Sequence, residues 1–331
     1  MAIVANTATT YTGATIREDL SDVIYNIAPM DTPFLSGCSK GKAESTLFEW
    51  QIDTIVAGSA NRHLEGDNDT APRNTSGEQP TKLTNYTQIS RAVNMTSGTD
   101  QVVNYAGRGK AQAYMLAKSG KRMKRDMEFM LTQNIIKAVG SVTGARQTAG
   151  LPSWLNTGYV NGGSGGSPAA GATGSTAMVL AGANVAASEA NIKAVIKKCF
   201  DAGGQPDMIL VPSSVKQTIS GLSSGAGPGV PMRNNVAGSG QSTAVAAVDV
   251  YVSDFGTFKI VPDRNLATDG VGSVAANAFF LDMDFWAINW LRPWHTETLA
   301  KTGDAIKQML IAEYGLVSRN EKSSGILANV S

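Results

Sequence analysis

The sequence predicts an α+β fold, and three observations carry that prediction. Between residues 46 and 95 apolar side chains recur with a period of two on either side of a long polar stretch, the mark of an extended hairpin. From 100 to 139 they recur at helical spacing over a span much longer than an ordinary helix. From 189 onward short helix-like and strand-like runs alternate, and two long strand-like runs follow them. A chain of 331 residues holds one large domain or two ordinary ones, and it can bury roughly three quarters of its unfolded surface.

Composition narrows the function. Charged residues are only 17% of the chain, against roughly 25% in an average soluble domain. A surface this poor in ions points to self-contact, because an unpaired charge is costly to desolvate in an interface. A weakly charged monomer with Gly-rich loops has the same composition. The net charge of +1 hides an asymmetry: residues 1–100 balance to −5, residues 101–140 to +6, and the rest to zero. Either the acidic third docks on the basic segment, within or between subunits, or a basic face turns toward nucleic acid, or the segment is a solvated helix face. The N-terminus lacks a basic n-region and a long apolar run, and no stretch approaches the roughly 18 apolar residues of a membrane span. Neither export nor a membrane partner is expected.

The first element is a short helix. Thr15, with Glu18 three residues on, forms a capping box, and Ile16, Leu20, Val23, Ile24 and Ile27 draw one sticky face before Pro29 ends the pattern. Pro29 to Phe34 then reads as a stiff, extended arm, since each proline fixes its own φ and pushes the preceding residue out of the helical region.

The hairpin comes next. Phe48, Trp50 and Ile52 share one strand face and Glu49, Gln51 and Asp53 the other; residues 81–95 form its partner, with Leu83, Thr87, Ile89, Val93 and Met95 on one face. The stretch between them, 57–80, is too long and polar for a structureless loop in a compact domain, and a two-stranded ribbon is marginal alone. It needs a neighbour to lie on. The sequons at Asn68, Asn74, Asn85 and Asn94 follow from the abundance of Asn and Thr.

Residues 100–139 are expected as one long helix of roughly 50 to 60 Å, with Ala113, Leu116, Gly120, Met123, Met127, Met130, Leu131, Asn134 and Ala138 on its apolar face, and with Gly107, Gly109 and Gly120 either dividing it or letting another backbone approach closely. Lys118, Lys121, Arg122, Lys124 and Arg125 are its basic cluster. Residues 156–186 read as a Gly- and Ser-rich loop with neither a P-loop nor a dinucleotide pattern. Helices are expected at 189–200 and 213–222, a buried strand at 208–211, a second loose loop to about 242, a hairpin from 248–252 and 258–261, and long strands at 278–290 and 305–317.

Candidate chemistry is sparse. Two His and two Cys leave few places for a metal cluster or a nucleophile and base; His63 and His295 sit in polar connections, and Cys38 and Cys199 have no local motif. Asp282 and Asp284 read as two carboxylates on one strand face, either a cation site or the guard of a sheet edge, with the edge preferred. The basic cluster lacks interleaved aromatics, which limits it to nonspecific phosphate contact. Trp286, Trp290 and Trp294 recur every fourth residue, but Asn289 and Pro293 break a helix there, so they read as a packed wall under the long helix. No catalytic, cofactor or metal residue is assigned.

Ile16 to Ile27, then Pro29-Met30-Asp31-Thr32-Pro33-Phe34, then Phe48-Glu49-Trp50-Gln51-Ile52-Asp53, resemble the N-terminal region of a group of tailed-bacteriophage major capsid proteins. The resemblance implies the Hong Kong 97-type capsid fold: an N-terminal arm over 1–45, an extended loop over 46–98, a peripheral domain with its spine helix over 99–149, an axial domain over 150–275, and C-terminal strands over 276–331 returning to the peripheral domain. It implies hexamers and pentamers of an icosahedral virion head, assembled in the bacterial cytoplasm around double-stranded DNA. Its partners would be a portal protein, a separate scaffolding protein, since too few residues precede the extended loop for a fused one, and a cement protein. Relatives that cross-link covalently do so through a Lys on the extended loop, where Lys82 is the one Lys between 46 and 98. On this reading Glu65, Asp67 and Asp69 of one subunit's loop pair with Lys121, Arg122, Lys124 or Arg125 of the next, and Phe48 and Trp50 add an apolar contact between subunits. The competing readings are an encapsulin-like cellular compartment of the same fold, an α/β hydrolase-like enzyme using Cys199 or a serine with His295, and an adhesin.

Overall fold

The structure is a computed structural model that describes residues 31–53, 58, 60, 62–66, 68, 80–106, 109–161, 173–178, 188–222, 234–235, 243–244, 248–266 and 276–330. The amphipathic segment expected at 15–28 lies outside the described residues. The chain enters through a short helix, α1 (Pro33–Gly37), begun by its proline, and passes into strand β1 (Ser39–Lys42). Strands β2 (Leu47–Ile52) and β3 (Thr81–Tyr86) pair antiparallel, Leu47 opposite Tyr86 and Ile52 opposite Thr81, as a ribbon of their own.

The single strand expected over 81–95 is two. Buried Thr87 interrupts it, its backbone N–H turned to Thr46, and β4 (Gln88–Ser97) joins a different sheet. The long helix is likewise shorter than its pattern. Residues 99–101 form a 3₁₀ turn, and Gly109 takes a φ of +56° in a bridge with Tyr105, a left-handed conformation that no α-helix can carry through. Helix α2 therefore runs Ala111–Thr132, 22 residues, or about 33 Å.

A first sheet has the order β1-β12-β13-β4, built on β12 (Trp286–Leu299) and β13 (Ala305–Ser318). Its β1 pairs parallel with β12, Ser39 opposite Ala287; the other ladders are antiparallel. A second sheet has the order β5-β14-β11-β6-β10-β9. It comprises β5 (Gly158–Asn161), β6 (Met208–Val211), β9 (Val250–Ser253), β10 (Gly256–Pro262), β11 (Ala278–Leu281) and β14 (Gly325–Ala328), with helices α3 (Glu189–Asp201) and α4 (Ser213–Leu222) among them. A two-residue ladder joins β7 (Asn234–Asn235) to β8 (Thr243–Ala244).

Three expectations change here. Gly158–Asn161 is a strand and not the start of a loop, and Gly158 serves packing. A Cβ on Gly325 would sit 2.7 Å from Val195 and 2.9 Å from Cys199, so β14 and its neighbour β5 accept α3 only because Gly325 and Gly158 lack side chains. The strands of 276–331 divide: β12 and β13 build the first sheet, while β11 and β14 complete the second. The run expected at 278–290 breaks at Asp282, whose Oδ1 accepts the N–H of Asp284 at 3.2 Å and starts a 3₁₀ turn, so the two Asp share no strand face.

One core lies where the arm root, the ribbon, α2 and both sheets meet, around Phe34, Met127, Leu131, Trp154, Phe279, Trp286 and Tyr314. Each fully buried large apolar side chain there stabilises the fold by roughly 1.5 to 3 kcal/mol. A second core under α3 and α4 holds Val195, Ile196, Cys199, Ile209, Val215 and Phe280.

Candidate assembly surface

Strand β4 of the first sheet has one covered face and one open face. In β4 the even residues turn under α2: Ala92 packs with Met123, Leu310 and Ala312, and Asn94 Oδ1 accepts from Ser119 Oγ at 2.7 Å. Trp290 and Trp294, 6.2 Å apart, lie against the same cluster, so the tryptophans form the packed wall beneath the helix, on a strand. The odd residues of β4 turn away. Ile89, Val93 and Met95 are 45%, 52% and 60% exposed, with Arg91 between them. Beside Ile89 opens a groove of about 420 Å³, lined also by Val139, Ala145 and Arg146. Isolated exposed apolar residues are ordinary, but a stripe along one strand face bordering a groove marks an interaction surface.

The root of the ribbon is fixed from beneath by a buried ion cluster. Glu313 on β13 is nearly inaccessible, and its carboxylate accepts from Thr87 Oγ1 at 2.8 Å, from Arg292 Nε at 2.9 Å and from Arg146 Nη2. Thr87 is the residue at which the chain leaves the ribbon for β4, so the cluster holds the ribbon's departure angle. Asn85, also buried, donates through Nδ2 to Thr148 Oγ1 at 2.9 Å and to Leu316 O at 2.7 Å. Neither residue's role was legible in the sequence, because their partners lie about 60 to 230 residues away.

Phe48 and Trp50 pack into the chain's own core. Phe48 is buried with Ala43, Ala287 and Val317 and stacks on Trp50 at 5.8 Å; Trp50 donates its indole N–H to Ser318 O at 2.8 Å and meets Trp154 at 5.5 Å. Gly315 makes the space: a Cβ there would stand 2.4 Å from the Phe48 ring. These two aromatics anchor the ribbon to the first sheet.

The charged candidates remain on the surface. Lys118, Lys121, Arg122, Lys124 and Arg125 are exposed along α2; Arg122 pairs with Asp126 at 3.8 Å, and Arg125 Nε donates to Asn265 Oδ1 at 3.3 Å. Glu65 is exposed on the loop beyond the ribbon, while Asp67 and Asp69 lie outside the described residues. Lys82 pairs with Glu49 across the ribbon at 2.5 Å.

The nucleophile and base of the hydrolase reading are far from each other in the fold. Cys199 is packed under α3 with its thiol pushed up to about 12 by burial, and burial likewise raises the Cys38 thiol. His295 is exposed on β12 in the other sheet, its Nδ1 against Pro293 O at 2.9 Å. Among the described residues no three His, Cys, Asp or Glu side chains gather as metal ligands, and no helix is long and apolar enough to cross a membrane.

Comparison with known proteins agrees with this architecture. A family model described as SU10 major capsid protein matches residues 3–331. The major capsid protein of Escherichia phage Phieco32 is 28% identical over 340 residues, which cover 91% of this chain and 90% of that one. Among solved structures, the cyanophage A-1(L) capsid asymmetric unit matches with a TM-score of 0.68 at 14% identity, covering 98% of this chain and 99% of that chain. The capsid of a native GTA particle matches with a TM-score of 0.62 at 14% identity, over 99% and 100% of the two chains. The fold is thus the α+β Hong Kong 97-type capsid fold over nearly the whole chain.

Proposed function

The chain belongs to the SU10 major capsid protein family, and from that premise we propose that its copies close into hexamers and pentamers of a phage head enclosing double-stranded DNA. It is a structural component of the virion capsid and not an enzyme. The observation that supports self-assembly is the open face of β4, where Ile89, Val93 and Met95 stand exposed on a strand whose other face is half-buried or buried. Burying such residues between copies, repeated around a shell, supplies the association energy that exposed ion pairs at roughly 0 to 1 kcal/mol each do not.

The ribbon and its loop extend over a neighbouring subunit, where Glu65, with Asp67 and Asp69, pairs with Lys121, Arg122, Lys124 or Arg125. The division of the chain follows the family's plan: arm, extended loop, a peripheral domain on the first sheet and α2, and an axial domain on the second sheet. Packaged DNA meets basic side chains only through phosphate contacts, and the head's assembly also involves a portal protein and a separate scaffolding protein. Substituting Val93→Asp and Met95→Asp tests the reading. The variant folds with unchanged circular dichroism and fails to form particles in sedimentation; normal particles would contradict the role of the open face.

A further inference from the structure

A buried pair of carboxyls, apart from the assembly surface, holds the root of the N-terminal segment. Glu128 on α2 is fully buried, and its two oxygens accept the backbone N–H groups of Phe34 and Leu35 at 2.8 and 2.7 Å. Asp263, just after β10 and 2% exposed, accepts at Oδ1 from the backbone N–H and the Nδ2 of Asn265, at 2.8 and 3.2 Å. Asp263 Oδ2 has no N–H donor among the described residues, and the carboxyl of Glu128 lies against that of Asp263. Three parts of the molecule meet there: the arm root, the long helix and the second sheet.

Two ionised carboxylates side by side without water repel strongly, and the surrounding groups do not neutralise them. Arg125, one turn earlier on α2, donates to Asn265 Oδ1 rather than to either carboxylate. From the segment side, Asp31 adds a third negative charge near Asp263, and Cys38 adds a buried thiol. Asn265 gives Asp31 only an amide, Nδ2 to the backbone O at 2.6 Å. Glu128 already receives two N–H donors and Asp263 Oδ1 two more, which leaves Asp263 Oδ2 as the site for one O–H.

We propose that Glu128 and Asp263 share a single proton, and that this proton decides whether the root of the N-terminal segment stays docked on α2 and the second sheet. Burial first, and Asp263 second, push the Glu128 carboxyl up to about 8, while burial raises Asp263. Docking is therefore firm in acid, where the proton is held, and weakens as pH rises through that value. Opening lets both carboxylates reach water and leaves the N–H groups of Phe34 and Leu35 exchangeable. The docking of the segment from Asp31 to Leu35 thus depends on pH close to neutrality.

Hydrogen exchange on the full, unassembled chain tests this. Between pH 6 and 9 the protection of the Phe34 and Leu35 amides, corrected for intrinsic rates, falls by about tenfold or more, a step equivalent to at least one pKa unit. In Asp263→Asn the step shrinks, because Glu128 then ionises beside a neutral amide that can donate to it and burial alone still raises it. Constant protection in the wild-type chain, or the same step in Asp263→Asn, overturns the proposal. The infrared carbonyl band of ¹³C-labelled glutamate reads the same proton without a variant: a protonated glutamate is present at pH 6 and lost by pH 9, and its absence at pH 6 also overturns the proposal. Shell assembly is a separate readout, unaffected by either result.

Discussion

Replacing Glu313 with Gln removes the one charge that holds two arginines and a threonine at the base of the ribbon. The carboxylate is 3% exposed, whereas Arg146 and Arg292 are 29% and 44% exposed. Breaking a buried pair by removing one partner costs about 3 to 5 kcal/mol where the remaining charge stays buried. Here both guanidinium groups reach water and relax, which places the expected loss at about 3 kcal/mol, the lower end. Thr87→Val removes only one hydrogen bond to a charged group and costs about 1.5 kcal/mol. Urea unfolding of the unassembled subunit, followed by tryptophan fluorescence, measures both, since Trp50, Trp286 and Trp290 lie in or beside the clusters that open. The double variant should lose less than the sum, because both substitutions remove the same contact. A loss below about 0.5 kcal/mol for Glu313→Gln, the size of an ordinary surface substitution, would refute the claim that this cluster sets the ribbon's base.

Other outcomes follow from the same geometry. Charge reversal of Lys121 and Arg122 to Glu should weaken particle formation and flatten its salt dependence in light scattering; unchanged salt dependence would remove the loop-to-helix pairing. Cys38 and Cys199, both buried with raised thiols, should resist a thiol reagent at pH 8 until urea unfolds the chain, and rapid labelling of the native protein would contradict their packing. Stability against urea should fall from pH 6 to pH 9, since the Glu128 carboxyl, raised from 4.5 to about 8, contributes stability that is complete below the lower value and lost through the upper. A midpoint that rises across that range would give the opposite sign. Trp286→Ala, removing a fully buried ring that meets Phe34 at 5.9 Å and bonds Ser324 Oγ at 3.0 Å, should cost about 3 to 5 kcal/mol in the same assay.

What could be read from the sequence was whatever local pattern decides. Period-two alternation located β2, and the helix expected at 189–200 is α3, whose start the structure caps with Ser188, its Oγ accepting from Asn191 N at 3.2 Å. Pattern misled where tertiary partners decide. Residues 81–95 alternate on through Thr87, broken only by the polar Asn85 and Arg91, yet the strand changes sheet at Thr87 because Glu313 and Thr46 bind that residue. The apolar stripe of 100–139 runs on through Gly109, one of the glycines able to divide it, and the left-handed φ there ends the helix. Phe48 and Trp50 looked like an offered face because a strand's alternation cannot tell its own sheet from a neighbour's. The carboxyls of Glu128, Asp263 and Glu313 were invisible as sites, since each acquires its role from residues far along the chain.

The most direct test of the account is to purify the recombinant chain and examine it by negative-stain electron microscopy beside sedimentation at several salt concentrations. Closed shells or capsomer rings are the expected result. A folded monomer under every condition, including with a scaffolding protein present, would contradict the proposal that copies of this chain form the shell through the open face and the ribbon.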